Sequence, residues 1–263
     1  MKKYIRLYFK FLLQYLKILM EYKGDFFIGL ASFFVIQASG IIFIYIIFQR
    51  IPHLNGWNFY QIMFIYGFAQ LPRGVDHLLT DNIWHLGIRL VLRGDFDRYL
   101  LRPLNPLFQI IAEIFQPDAF GELIVGTILV FWSASNMDID MSALNILLFI
   151  VLVLFGALIY TSVKLLFGSF AFWIKQSHSI MWMAYTTSDF AKYPISIYSR
   201  VIQWTITFIV PFAFTAFFPA SYFIGKSSLL VAAGGTIIVS VVLFAVAYMV
   251  WRKGMSIYES TGN

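Results

Sequence analysis

The stretch RLVLRGDFDRYLLRPLNP, residues 89–106, decides how this chain is read. Six of its eighteen residues are charged (Arg89, Arg93, Asp95, Asp97, Arg98 and Arg102), whereas only 12% of the whole chain is charged. Long apolar runs flank it on both sides. Thr80 or Asp81 can cap a helix that starts near Asn82. Ile83, Trp84, Leu86, Ile88, Leu90 and Val91 give that helix an apolar body, and Arg89 and Arg93 sit one turn apart on it. Gly94 can take the left-handed conformation that ends a helix. Asp95 can then cap a second short helix that stops at Pro103, and Asn105 can cap the next one, with Pro106 at its first position. The spacing predicts a structured elbow over residues 80–105. Its charges either solvate a turn and hold lipid phosphate, or present a docking surface of the Trp- and Arg-containing kind found at protein interfaces.

The rest of the chain says where the elbow stands. Of 263 residues, 60% are hydrophobic, and the mean hydropathy is +0.78. A soluble domain is nearer half apolar and a quarter charged. Apolar runs of about 20 residues, enough to span hydrocarbon, recur along the chain. The expected fold is all-α: one polytopic membrane domain over 1–263 with six transmembrane helices. The spans are read at about 25–48, 59–79, 107–133, 144–174, 177–193 and 229–251. Lys3, Arg6, Lys10, Gln14, Lys17 and Glu21 share one helical face, opposite Ile5, Phe9, Leu12, Leu16 and Leu19. Residues 1–23 therefore read as an amphipathic interfacial helix. They do not read as a cleavable signal, because the first apolar run continues past any cleavage site.

Basic residues set the orientation. Residues 1–23 hold six of them, the elbow holds four, Lys175 follows the fourth span, and Arg252 and Lys253 follow the last. The loop after the third span has none. This pattern places both termini and the elbow in the cytoplasm. Residues 176–227 must then cross once, at 177–193, with a Pro-interrupted re-entrant segment at 195–220; the rival reading makes 201–219 the span and 178–200 interfacial. The net charge of +6 fits cytoplasmic loops facing anionic lipid rather than nucleic acid.

Chemistry-bearing residues are sparse. With no cysteine there is neither a disulfide nor a thiolate metal site. No His-Glu-x-x-His helix or Gly-x-Ser-x-Gly elbow is present, so no catalytic set and no metal site is expected. ASYFIGKS, residues 220–227, approaches a phosphate-binding loop but has Ala220 where the first Gly belongs. Ionisable residues within spans are costly and carry more weight. Glu113, Asp118 and Glu122 lie in the first half of the third span, beside Pro117, and Lys164 lies in the fourth. The carboxylates either line a path for a cationic substrate or protons, or pair with basic residues. Arg73 and Asp76, one turn apart at the end of the second span, are able to pair.

GDFDRYLLRPLNPLFQ, preceded by YGFAQLPRGVDHL and NIWHLGIRLVLRG, resembles ABC transporter permeases of the type-two exporter class. It is most similar to a subfamily with a Gly-x-x-Asp-x-x-Leu-x-x-Pro-Leu run after the second span, here Gly94, Asp97, Leu100, Pro103 and Leu104. IVPFAFTAFFPASYFIGK is similar to that subfamily's last outer segment. The resemblance implies a permease subunit of an exporter in the cell membrane. Residues 82–93 would be the coupling helix, with Ile83, Trp84, Leu86, Ile88, Arg89, Arg93, Asp95, Asp97 and Arg98 meeting an ATPase subunit. Residues 1–23 would be the connecting helix. The chain itself would bind no cofactor; ATP and Mg would sit on two copies of a separate ABC ATPase, and a second permease, same or related, would complete the path. The rival function is an ion-coupled secondary transporter using Asp118 and Glu122; a non-transporting scaffold is a further alternative.

Overall fold

The computed structural model describes residues 6–8, 10, 11, 13, 14, 17, 23–116, 119–174 and 176–260. Among them regular structure is helical, apart from one isolated bridge between Leu54 and Trp57. The eight described residues before residue 23 are all helical, with Lys10, Gln14 and Lys17 exposed. The rest of the expected amphipathic helix, including Ile5, Phe9, Leu12, Leu16 and Leu19, lies outside the described residues.

Helix α1, Lys23–Phe48, is apolar around its circumference and leaves Phe27, Val35, Ile36 and Ile46 exposed. It docks through a polar contact. The Tyr66 hydroxyl donates to Gln37 Oε1 at 2.6 Å, and the Gln37 and Gln70 amides face each other. Side-chain hydrogen bonds of this kind hold helices together where the surroundings give no hydrophobic drive. Helix α2, Phe59–Thr80, begins in a capping box formed by Asn58 and Gln61. It is the centre of the bundle, with Ile62, Met63, Phe64, Ile65 and Phe68 all buried.

The elbow carries a short helix α3, Asp97–Leu100, and leads into α4, Pro106–Glu113. Asn105 accepts from Phe108 N, with Pro106 at the first helical position, as the spacing predicts. The third apolar run is not one continuous helix. It breaks after Glu113, where Ile114 is extended, and resumes as α5, Phe120–Ala134. The sequence supplies the cause, since Pro117 lacks a backbone donor and disfavours helix at the residue before it.

Helix α6, Ala143–Ser169, continues after one turn residue as α7, Ala171–Ile174. Helix α8, His178–Thr186, runs on as a 3-10 turn to Lys192. Then α9, Arg200–Trp204, widens into a π turn ending at Ile209, and the chain bends 77° before α10, Phe217–Phe223. A π turn, Leu230–Gly235, opens α11, Thr236–Ser256. Phe27–Phe48, Ala143–Ile174 and Leu230–Ser256 are each long and apolar enough to cross a membrane, and the bent pair adds a fourth such stretch if it counts as one span.

The molecule has two distinct ends. At one, Phe96 of the elbow packs on Phe172 after α6 and on Trp251 and Tyr258 of the last helix and tail. At the other, the 49–58 loop holds both flanks of the bent pair. Asn55 Nδ2 donates to Ser196 O at 2.7 Å, Trp57 Nε1 donates to Ser196 Oγ at 2.9 Å, and Lys226 Nζ donates to Gly56 O at 2.7 Å. The bend itself lies inward, with Phe212 against Tyr160 and Tyr185.

Candidate functional site

The elbow is one of two places where unusual chemistry gathers. Residues 82–93 are not one regular helix: a 3-10 turn, Asp81–Ile83, is followed by a π turn, Leu86–Leu90. Thr80 does not cap it; its hydroxyl instead bonds Asp76, at 2.7 Å from Oδ1. Gly94 has φ 77° and ends the turn in the left-handed region, as its position implies. Asp95 caps nothing here, because α3 starts one residue later behind Phe96.

Side-chain directions split the elbow into an anchored half and a presented half. Ile83, Leu86, Leu90, Phe96 and Tyr99 are buried in a core shared with Leu107, Ile110, Leu165 and Trp251. The expectation that Ile83 and Leu86 face a partner is therefore corrected; they hold the elbow to its own bundle. Ile88, Leu92, Arg93, Leu100, Arg102 and above all Leu101, 85% exposed, point outward. Trp84 turns toward α8, its ring 5.2 Å from Tyr185. Arg89 is half-buried. Arg98 pairs with Glu113 at 3.0 Å and lies over the Tyr99 ring. The Tyr99 hydroxyl also donates to Glu113. Glu113 thus ties the elbow to α4 and is not grouped with Glu122.

Phe96 is fully buried within a cage of Tyr99, Phe172, Trp251 and Tyr258. Asp97 closes the cage, accepting from Tyr258 at 2.9 Å and from Ser260. Burial, then the bonded Asp97, pushes the Tyr258 hydroxyl up to about 12, so it stays a donor at neutral pH. Burial likewise lifts Tyr99 to about 12. Burial, then the Arg89 guanidinium, holds His85 below the usual imidazole range. His85 is therefore neutral at pH 7, 2.8 Å from Asn82 Oδ1.

The second place is a polar cavity of about 350 Å³ bounded by α1, α2, the start of α5 and α8. Arg73 and Asp76 line and back it, but they do not pair with each other. Arg73 reaches Glu122 at 3.5 Å and Asp189 at 2.9 Å. Asp76 accepts from Lys164 at 2.9 Å, with both side chains fully buried, and from Thr161 at 2.8 Å. Tyr185 bridges the two groups, with its hydroxyl 2.7 Å from His77 Nε2 and 3.3 Å from Asp76 Oδ2. His77 Nδ1 faces Glu122 Oε2 at 3.1 Å. Lys164 also reaches Asp81 at 3.5 Å, and Lys192 reaches Asp189 at 2.7 Å. Of the three carboxylates singled out in the third apolar run, Glu122 lines this cavity, Glu113 does not, and Asp118 lies outside the described residues. Sequence reasoning singled out neither Tyr185 nor Asp189 for this place, and set Asp76 only beside Arg73.

Residues 220–227 do not have the setting of a phosphate loop. Their first four residues lie within helix α10 and follow no strand, and Lys226 is spent on Gly56 O and on the Trp57 ring, 4.0 Å away.

Residues 34–262 match the family described as ABC-2 family transporter protein, which takes in the elbow, the cavity and both ends of the bundle. The chain belongs to that family. Neither a curated protein nor a solved structure matches it. An ABC-2 permease is the multi-pass membrane component of a transporter rather than its enzyme, and the family generally works with an ABC ATPase. The ABC-2 chain's buried ion pairs and presented elbow are to be read in that setting.

Proposed function

We propose that this chain is the membrane subunit of an ATP-driven exporter, with the elbow as the lever that a separate ATPase moves. The observation that carries the reading is the divided elbow. An apolar and cationic surface, with Leu101, Leu92, Ile88, Arg93 and Arg102 outward, stands on a cage shared with α7 and α11. Interfaces use such a combination of aliphatic and arginine contacts. A push on Leu101 is delivered through Phe96 to Trp251 and Phe172, and so to two long helices at once. Contacts expected on the ATPase are Ile88, Arg93 and the exposed edge of Arg98, with Asp95 and Asp97 setting the turn. In this reading ATP and Mg belong to two ATPase copies, and a second permease, identical or related, completes the path.

The same reading puts the elbow end, with both termini, on the cytoplasmic side and the 49–58 loop outside. Residues 177–193 then cross outward, and the bent pair is read as a re-entrant segment, since both of its flanks return to the same loop. The test is ATP hydrolysis by the chain copurified with its ATPase in lipid nanodiscs. Leu101→Asp with Arg93→Glu is expected to abolish copurification or coupled hydrolysis while the chain still folds. Unchanged coupled hydrolysis would end this reading. Among the described residues, Glu122 and its neighbours are what the ion-coupled alternative rests on; transport that follows a proton gradient without ATP would select it.

A further inference from the structure

Next to the segments that hold the elbow cage lies an apolar groove of about 620 Å³. Phe170, Trp173 and Ile174 at the end of the α6–α7 stretch line it, with Met249 and Val250 of α11 and Ile180 of α8. The groove sits at a membrane boundary. Ala143–Ile174 and Leu230–Ser256 are both long and apolar enough to span hydrocarbon, and both end within two turns of it. Its charge has one sign. Lys253, one turn on from Met249, lines the groove, and Arg252 adjoins it; both are exposed, and neither joins an ion pair among the described residues. No carboxylate is among the described residues that line it. Trp173 is 46% exposed, and its indole N–H meets no acceptor among the described residues. Apolar walls under two unpaired cations and an indole donor, where hydrocarbon gives way to water, complement a molecule with acyl chains below and negative charge above.

We propose that this groove is a site for one anionic phospholipid. An acyl chain lies against Trp173, Ile180 and Met249, and the phosphate and anionic headgroup meet Lys253, Arg252 and the Trp173 indole N–H. The site goes beyond the exporter reading and does not rest on it. A zwitterionic lipid fits the same walls but carries a cation of its own, which Lys253 and Arg252 repel. Phe172 and Trp251 stand two residues from Phe170 and Met249, hence on the far side of the same helices, where they pack on Phe96. A lipid seated in the groove therefore braces, from behind, the two segments that hold the elbow.

Phosphatidylglycerol and phosphatidylcholine with identical acyl chains test this on the purified full chain in detergent, with retained lipid counted by native mass spectrometry. The first phosphatidylglycerol is expected to be held at least about fivefold more tightly than phosphatidylcholine, the preference that one basic residue near an anionic lipid supplies. Lys253→Gln with Arg252→Gln, both at exposed positions, should bring the two lipids close to level without unfolding the chain. Met249→Trp keeps both cations and fills the groove, and should lower retention of phosphatidylglycerol several-fold. Hydrogen exchange over residues 249–258 should slow when phosphatidylglycerol is bound to the unaltered chain, and much less in either variant. Equal retention of the two lipids by the unaltered chain, an unchanged preference in Lys253→Gln with Arg252→Gln, full retention in Met249→Trp, or exchange slowed elsewhere but not over residues 249–258 would overturn the proposal.

Discussion

Lys164 and Asp76 are fully buried and 2.9 Å apart, and Thr80, Thr161 and Tyr185 complete the Asp76 carboxylate. Removing one member leaves the other charged and uncompensated, which costs about 3–5 kcal/mol. Lys164→Met should therefore unfold at markedly lower temperature. Lys164→Met with Asp76→Leu should lose less than the two single changes summed, since contacting residues are not additive. Thermal unfolding of the detergent-solubilised chain reads both. The sequence marks Lys164 as expensive, and helical spacing set Asp76 beside Arg73. Spacing within a helix carries no information on how neighbouring helices are rotated, and the partners that offset burial here sit on α5, α6 and the turn after α8. His85 gives a pH dependence at the same scale. Its folded state disfavours the proton, so the unfolded chain binds more protons once the pH drops below about 6.5, and elbow stability falls from there downward. Hydrogen exchange over residues 82–98 should quicken between pH 7.5 and 5.5, and His85→Asn should flatten that change.

Helices α2 and α5 approach closely because Gly67 and Gly126 face each other. A Cβ on Gly67 would meet Leu129 Cβ at 2.7 Å and Val130 N at 3.0 Å. Backbone cannot step aside as a flexible side chain can, so Gly67→Ala should cost about 1–3 kcal/mol by overpacking. The elbow depends on its cage in the same way. Phe96→Ala should cost about 3–5 kcal/mol, and Gly254→Ala, whose Cβ would lie 2.3 Å from the Phe172 ring, should loosen the cage and weaken coupling before it unfolds the bundle. Much of the elbow was legible: Gly94 and the Asn105–Pro106 start act locally, and local chemistry is what a sequence displays. The buried direction of Ile83 and Leu86 was not, because it is set by Leu165, Trp251 and Ile110 from distant segments. The break in the third apolar run was half legible, as Pro117 was visible but the otherwise continuous greasy run reads as one span.

At the scale of the molecule, the polar contacts separate into an elbow end and a loop end, joined by long apolar helices. The chain has no cysteine, so single introduced cysteines report on each end without background. Asn136→Cys and Ser227→Cys should react with an impermeant maleimide added outside intact cells, and Leu101→Cys should react only after the membrane is opened. The expected orientation rests on basic residues, whose bias is set by the membrane rather than by packing. The central claim is that the outward half of the elbow meets a separate ATPase. Cross-linking from Leu101→Cys in the native membrane tests it most directly. The account predicts a covalent adduct with an ABC ATPase subunit, diminished by Arg93→Glu. Adducts only with lipid or with reagent, while the ATPase remains in the same membrane, would contradict it.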